Sequence, residues 1–274
     1  LIWNTKQTGA VGRMKVDKDF IKLIDAIEGQ LAVLPHGGET ITLIKESYRL
    51  GEEIQTATFK IVNTLFAEYG LIVLLPDNAV LKKQMLRVFE DDLLNQTASV
   101  IVEKASTRLG EIYKVQAHPR DINLFYLLED LRERMEIKDS KFHVLNSKSS
   151  FTKEELVMEL QDHPERFSPN VILRGLYQET ILPNIAFIGG GGELAYWLEL
   201  KDLFDHYGVP YPVQLLRNSF LILEKKWQEK IDRLGFKIED IFLNEQELIN
   251  RLVVRETDQK VQLNGTLSAT EQLY

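Results

Sequence analysis

Four consecutive glycines, Gly189-Gly190-Gly191-Gly192, stand between an apolar run and an amphipathic stretch. Each costs backbone entropy relative to alanine, so four together call for a reason. One reason is a backbone that takes positive φ and lets a ligand approach closely. A helix starting there presents unpaired N–H groups in its first turn, which together with the helix dipole attract an anion. A tight strand-to-helix turn without a ligand explains the run equally well. The run is neither G-x-G-x-x-G nor a Walker loop, because no Gly-Lys-Ser/Thr follows it. Glu193 comes next and also has two readings. It is a favourable acidic residue in a first turn, or a group that binds an amine or orients a nucleophile.

Arg217, Asn218 and Ser219 end the following apolar run. In a right-handed parallel unit, the carboxyl end of that strand lies on the same edge as Gly189. Crevices at that edge bind ligands. Arg217 is thereby expected to reach an anion beside the glycine turn. Asn218 and Ser219 either line that mouth or cap the next helix.

Upstream, Arg174, Tyr177 and Gln178 share one helical face at i, i+3 and i+4, and Asn170 extends it. A binding face and a solvated face both fit. Asn184 joins this helix to the next strand. Tyr196 lies off the Leu194, Trp197, Leu198 and Lys201 stripe, which reads as core packing, and is a further site candidate. The segment His118-Pro119-Arg120-Asp121-Ile122-Asn123 adds Arg120 and Asn123.

Several chemistries are excluded. The chain of 274 residues has no cysteine, so disulfides, thiolate metal sites and cysteine nucleophiles are ruled out. His36, His118, His143, His163 and His206 have no H-x-x-x-H or H-E-x-x-H spacing, and no metal site is expected. No G-x-S-x-G elbow occurs. A net charge of −8 argues against a non-specific nucleic-acid binder. No apolar run approaches the roughly 20 residues of a membrane span. No signal peptide opens the chain, and a cytoplasmic protein is the expectation.

The elements that position these residues alternate. Residues 17–34, 40–50 and 54–68 read as helices, with Asp17 capping the first and Pro35-His36-Gly37-Gly38 breaking it. Residues 1–69 thus form a helical insert. Leu71-Ile72-Val73-Leu74-Leu75 reads as a strand buried on both faces, followed by one long helix over 79–104. Strand-like runs at 113–117, 124–128, 135–137 and 142–145 predict a small antiparallel insert at about 105–150. Thr152 and Glu155 form a capping box. From 168 to 219, helix, strand, glycine turn, helix and strand alternate, which predicts a parallel sheet with crossover helices. The core therefore spans 70–219. Residues 220–274 read as mostly charged helices, interrupted at Gly235.

The run from Ser168 through Arg174 to Thr180, the run Leu182-Pro183-Asn184 through the four glycines to Trp197, and Arg217-Asn218-Ser219-Phe220 resemble the bacillithiol synthase family. Weaker likeness covers residues 8–14, 69–77 and 120–126. The resemblance implies an α/β fold with a Rossmann-like core, helical inserts and the start of a C-terminal helical coiled coil that supports a homodimer. It implies a ligase that joins the carboxyl of cysteine to the amine of glucosaminyl malate, with ATP as the activating nucleotide. The glycine turn and Arg217 then suit anionic groups, and Glu193 or Tyr177 sits near the amine. Gly175 stands where the family usually has proline. The family's earlier nucleotide-binding motifs are missing, and the chain opens at Leu1-Ile2-Trp3, so it reads as an inactive fragment. A sugar-nucleotide or nucleotidyl transferase and a non-catalytic scaffold are the alternatives.

Overall fold

The computed structural model describes residues 2–256. The chain divides into two compact units, Leu1–Arg217 and Asn218–Tyr274.

The first unit opens with three helices: α1 (Lys18–Leu31), α2 (Gly37–Ser47) and α3 (Ile54–Phe66). Asp17 caps α1 by accepting the Phe20 N–H at 2.8 Å, and Trp3 Nε1 donates to the same carboxylate at 3.0 Å. The expected break falls at His36, whose φ is 61°. The next residue must be glycine, because a Cβ on Gly37 would lie 1.6 Å from the Leu31 carbonyl oxygen.

Two expectations fail in the next stretch. Leu71-Ile72-Val73-Leu74-Leu75 joins no ladder among the described residues, and Ile72 is 67% exposed. An apolar run signals a wish for burial, but a strand exists only through a partner. The single helix over 79–104 is instead three: α4 (Ala79–Lys83), α5 (Leu86–Asn95) and α6 (Thr97–Gly110). Gln96, at φ 53°, breaks α5 from α6.

A five-stranded antiparallel sheet follows, built from β1 (Leu124–Leu128), β2 (Leu131–Lys138), β3 (Lys141–Val144), β4 (Ser150–Phe151) and β5 (Phe167–Pro169), in the order β4-β3-β2-β1-β5. Helix α7 (Lys153–Asp162) lies between β4 and β5, and Thr152 and Glu155 form its predicted capping box. The run at 113–117 is not a strand. Four of its strands form the expected antiparallel insert, and with β5 they make the larger sheet antiparallel, where a parallel core was expected. The cause is connection length. Only two residues join β1 to β2 and β2 to β3, and such links reach only an antiparallel neighbour. Asp139 and Ser140, at φ 51° and 59°, make the second link a tight hairpin turn.

Among the described residues, parallel pairing is confined to β6 (Ala186–Gly189) and β7 (Val213–Leu216), bridged by α9 (Gly191–Tyr207) and preceded by α8 (Val171–Ile181). This is the alternation read from the sequence. The predicted core stripe holds for Trp197, which is fully buried and stacks on Phe187 with centroids 4.2 Å apart. Glu199, also buried, ties α9 to α6 by accepting from Ser106 Oγ at 2.8 Å and from the Gln116 N–H at 2.8 Å.

In the second unit, α10 (Lys225–Arg233) ends at Gly235 and α11 (Glu245–Glu256) follows a short 3-10 turn. The Arg255 guanidinium lies 4.5 Å over the Phe236 ring, and Arg251 bonds Asp240 at 2.8 Å. The described residues of this unit are therefore two short helices about a folded turn, not one continuous helix. The start of a coiled coil was expected over 220–274; residues 257–274 of it lie outside the described residues. Asn218 and Ser219 are exposed, and α10 starts at Lys225 behind Glu224, so neither caps it. No helix among the described residues is long and apolar enough to cross a membrane.

Candidate functional site

The glycine turn departs from its predicted conformation, since none of Gly189, Gly190, Gly191 and Gly192 takes a positive φ. The first two supply room instead. A Cβ on Gly189 would sit 2.5 Å from the Phe187 ring, and one on Gly190 would sit 3.2 Å from Arg217 Nη2. Arg217 extends the ladder by donating its N–H to the Gly189 carbonyl at 2.9 Å, and its guanidinium lies beside Gly190. The negative group it meets is the protein's own. Glu193 accepts the Gly190 N–H at 2.8 Å and lies 4.0 Å from Arg217 Nη1. Both side chains are about half exposed or more, so the pair is worth under about 1 kcal/mol and opens easily.

The α8 face splits by depth. Arg174 is exposed, while Tyr177 is buried and donates its hydroxyl to the Pro76 carbonyl at 2.8 Å. Burial pushes the Tyr177 phenol up to about 12. Gln178 donates to Glu179 at 2.9 Å rather than meeting Arg174. Asn184 bonds the same carboxylate through its backbone N–H at 2.7 Å and its side chain at 3.0 Å. Gln178 and Asn184 thus hold the α8–β6 turn around a buried glutamate.

Arg174 and Tyr177 line a cavity of about 180 Å³ with Asp77, Lys82 and Ser168. Beneath it lies a cluster that sequence reasoning missed. Arg13 Nη2 and Lys82 Nζ both reach Asp77 Oδ1, at 2.9 and 2.8 Å, and both donate to the Glu165 carbonyl. Burial pulls the Lys82 ammonium below its usual value although Asp77 opposes this. Burial pushes Asp77 up, but the two cations more than reverse it and hold the carboxyl below the usual range. No local pattern signals this cluster, because 64 residues separate Arg13 from Asp77.

Asn123 is wholly buried and organises the polar segment. It donates to Asp92 through its N–H at 2.7 Å and its side chain at 3.0 Å, and it accepts from Asn170 Nδ2 at 3.0 Å. Asn170 in turn caps α8 by accepting the Ile172 N–H at 2.8 Å. Burial raises the Asp92 carboxyl to about 7 against those hydrogen bonds. The network fixes Arg120 and Arg174 on one cleft with Arg132 and Arg134 of β2. The two β2 arginines were also missed, although their i, i+2 spacing on a strand would have placed them on one face. Burial and Glu193 raise the Tyr196 phenol, while a hydrogen bond with Trp197 and the charge of Arg174 oppose this. Asn218 and Ser219 belong to the second unit.

This geometry lies within a stretch that matches a known family model. Residues 2–218 match the Rossmann-like N-terminal domain of the bacillithiol biosynthesis protein BshC. The chain belongs to the BshC family. A Flavobacterium johnsoniae protein named "Putative cysteine ligase BshC" is 40% identical over 250 residues, covering 91% of this chain and 47% of the relative. The BshC relative of the same name from Flavobacterium psychrophilum is 37% identical, covering 100% of this chain and 52% of its own length. That from Christiangramia forsetii is 41% identical, covering 84% and 44%. The chain spans about half the length of these BshC relatives.

Proposed function

We propose that this chain serves a cysteine ligase of bacillithiol biosynthesis, which joins the cysteine carboxyl to the amine of glucosaminyl malate. The observation that carries this reading is the family match over residues 2–218, in register with relatives named as cysteine ligases. In the proposed reaction the amine attacks an activated cysteine carboxyl. The C–N bond forms, the activating group departs with its electron pair, and the amine loses a proton. Amide formation from a free carboxylate is uphill, so ATP is proposed as the energy source.

The glycine turn does not fit a nucleotide phosphate as it stands. Glu193 already holds the Gly190 N–H, and a phosphate placed there would meet that carboxylate. No step is therefore assigned to a nucleotide at this turn. The proposed roles fall on side chains that are within reach of a ligand. Glu193, loosely paired with Arg217, is suited to an ammonium. Arg174, exposed between two cavities, is suited to orient carboxylates by a planar fork. Tyr177 shapes the wall of its cavity, because its proton is committed to Pro76. A homodimer in the cytoplasm is part of the same proposal.

The test is formation of cysteinyl-glucosaminyl malate by the longest natural chain containing these residues, with and without ATP. ATP-dependent product supports the reading. Transfer of a nucleotide or sugar-nucleotide group without amide product would replace it.

A further inference from the structure

Four arginines from three segments of the first unit line one cleft of about 270 Å³: Arg120; Arg132 and Arg134 of β2; and Arg174. His118 joins them, and no carboxylate lines the cleft. Asp121 and Glu136 line an adjoining depression that shares Arg120, Ile122 and Arg134 with the cleft. Gathering four cations is costly unless something offsets their repulsion. Among the described residues, none of the four guanidinium groups makes an ion pair or a hydrogen bond. Arg132 has only the Phe125 ring, 3.8 Å beneath its guanidinium. Burial and the nearby Arg174 both pull the Arg132 pKa down, so its charge is held at a cost.

The cations are also held in place. Arg132 and Arg134 alternate on one face of β2, opposite Leu127 and Phe125 of β1. The Arg120 backbone is tied on both sides to the buried Asn123. Arg174 lies one turn into α8, whose cap Asn170 is bonded to the same Asn123. Ile122, Phe125 and Val171 add an apolar lining. A rigid set of unneutralised forks over an apolar floor is what a paired oxyanion recognises.

We propose that this cleft binds a compact polyanion bearing two oxyanion groups, either two carboxylates or two phosphoryl groups. Arg132 and Arg134 grip one end and Arg174 the other. The inference needs only the charge and geometry of the cleft and does not rest on the ligase reading.

Calorimetric titration of the 274-residue chain at low salt tests it, with malate and pyrophosphate as probes and acetate as the singly charged control. The expected result is that at least one dianion binds about tenfold or more tightly than acetate. Arg132→Gln and Arg134→Gln should each weaken it by about tenfold, while Arg108→Gln, outside the cleft, leaves it unchanged. Tighter binding of malate assigns a dicarboxylate, and tighter binding of pyrophosphate assigns a phosphoryl ligand. Thermal melts confirm that the variants fold; Arg134 is exposed, so its replacement keeps the strand. The proposal is overturned if neither dianion outbinds acetate, or if affinity survives both cleft substitutions. A chain that binds neither dianion while the longer natural chain still joins cysteine overturns this inference and leaves the ligase reading standing.

Discussion

Glu193 accepts the Gly190 N–H at 2.8 Å, placing a carboxylate of the protein itself where the start of α9 would otherwise attract a ligand anion. Arg217, 4.0 Å away, faces the same carboxylate. Under the proposed function, a ligand cation would recruit Glu193 and a ligand anion would have to displace it.

Replacing Glu193 separates these cases. Glu193→Ala frees both the N–H and Arg217, so phosphate should raise the melting temperature of the variant and not of the parent. In the absence of phosphate, the variant should lose about 0.3–1 kcal/mol from the first turn of α9. Differential scanning calorimetry with and without phosphate reads both effects. Equal responses in parent and variant would show that Glu193 does not guard the turn.

Lys82 should matter far more to stability than its place in the sequence suggests. Its side chain is 3% exposed and bonds Asp77 at 2.8 Å. Lys82→Met strands Asp77 with Arg13 alone and leaves the Glu165 carbonyl with one donor fewer. Urea unfolding should show a loss of roughly 3 kcal/mol. A loss below that of an ordinary surface substitution would mean that water replaces the ammonium.

Asp92 gives a pH dependence of known sign. Its folded value of about 7 lies above the ordinary 3.8, so the folded state holds a proton that the unfolded state releases. The stability it contributes is fully present below about pH 4 and is lost as pH rises through about 7. Urea midpoints between pH 5 and 8 should therefore fall with rising pH. Asp92→Asn should flatten that slope while lowering stability throughout, because its amide cannot accept both Asn123 donors.

Gly175 is set by packing. A Cβ there would lie 3.0 Å from the Trp197 ring, which is pinned between Phe187 and Phe204. Alanine would gain helix propensity of about 1 kcal/mol, but overpacking costs about 1–3 kcal/mol. Gly175→Ala should be net destabilising in thermal melts, and an unchanged or raised melting temperature would show that the indole can shift.

The units that were legible in the sequence are those written locally. Pro183, the glycine run and Gly208 punctuate α8, β6, α9 and β7, and Thr152 with Glu155 marks the start of α7. Strand direction was legible where connection lengths show it, in the antiparallel insert and in the β6–α9–β7 unit; that the antiparallel sheet is the larger one, gaining β5, was not. The Asp139-Ser140 hairpin also lacks the glycine that usually advertises such a turn. At the site, the sequence identified Arg174, Tyr177, Arg120 and Arg217 by type and spacing. It missed the Arg13, Lys82 and Asp77 cluster, whose members meet only through long-range folding. Asn123, Gln178 and Asn184 show the converse: polar residues that read as binding groups hold the scaffold instead.

The most direct measurement is mass-spectrometric detection of amide product from cysteine, glucosaminyl malate and ATP, using the longest natural chain and its Arg174→Ala variant. The account predicts product from the parent and a fall of about 100-fold or more in the variant, with the melting temperature unchanged. Absence of product from the parent, or equal rates from both chains, would contradict it.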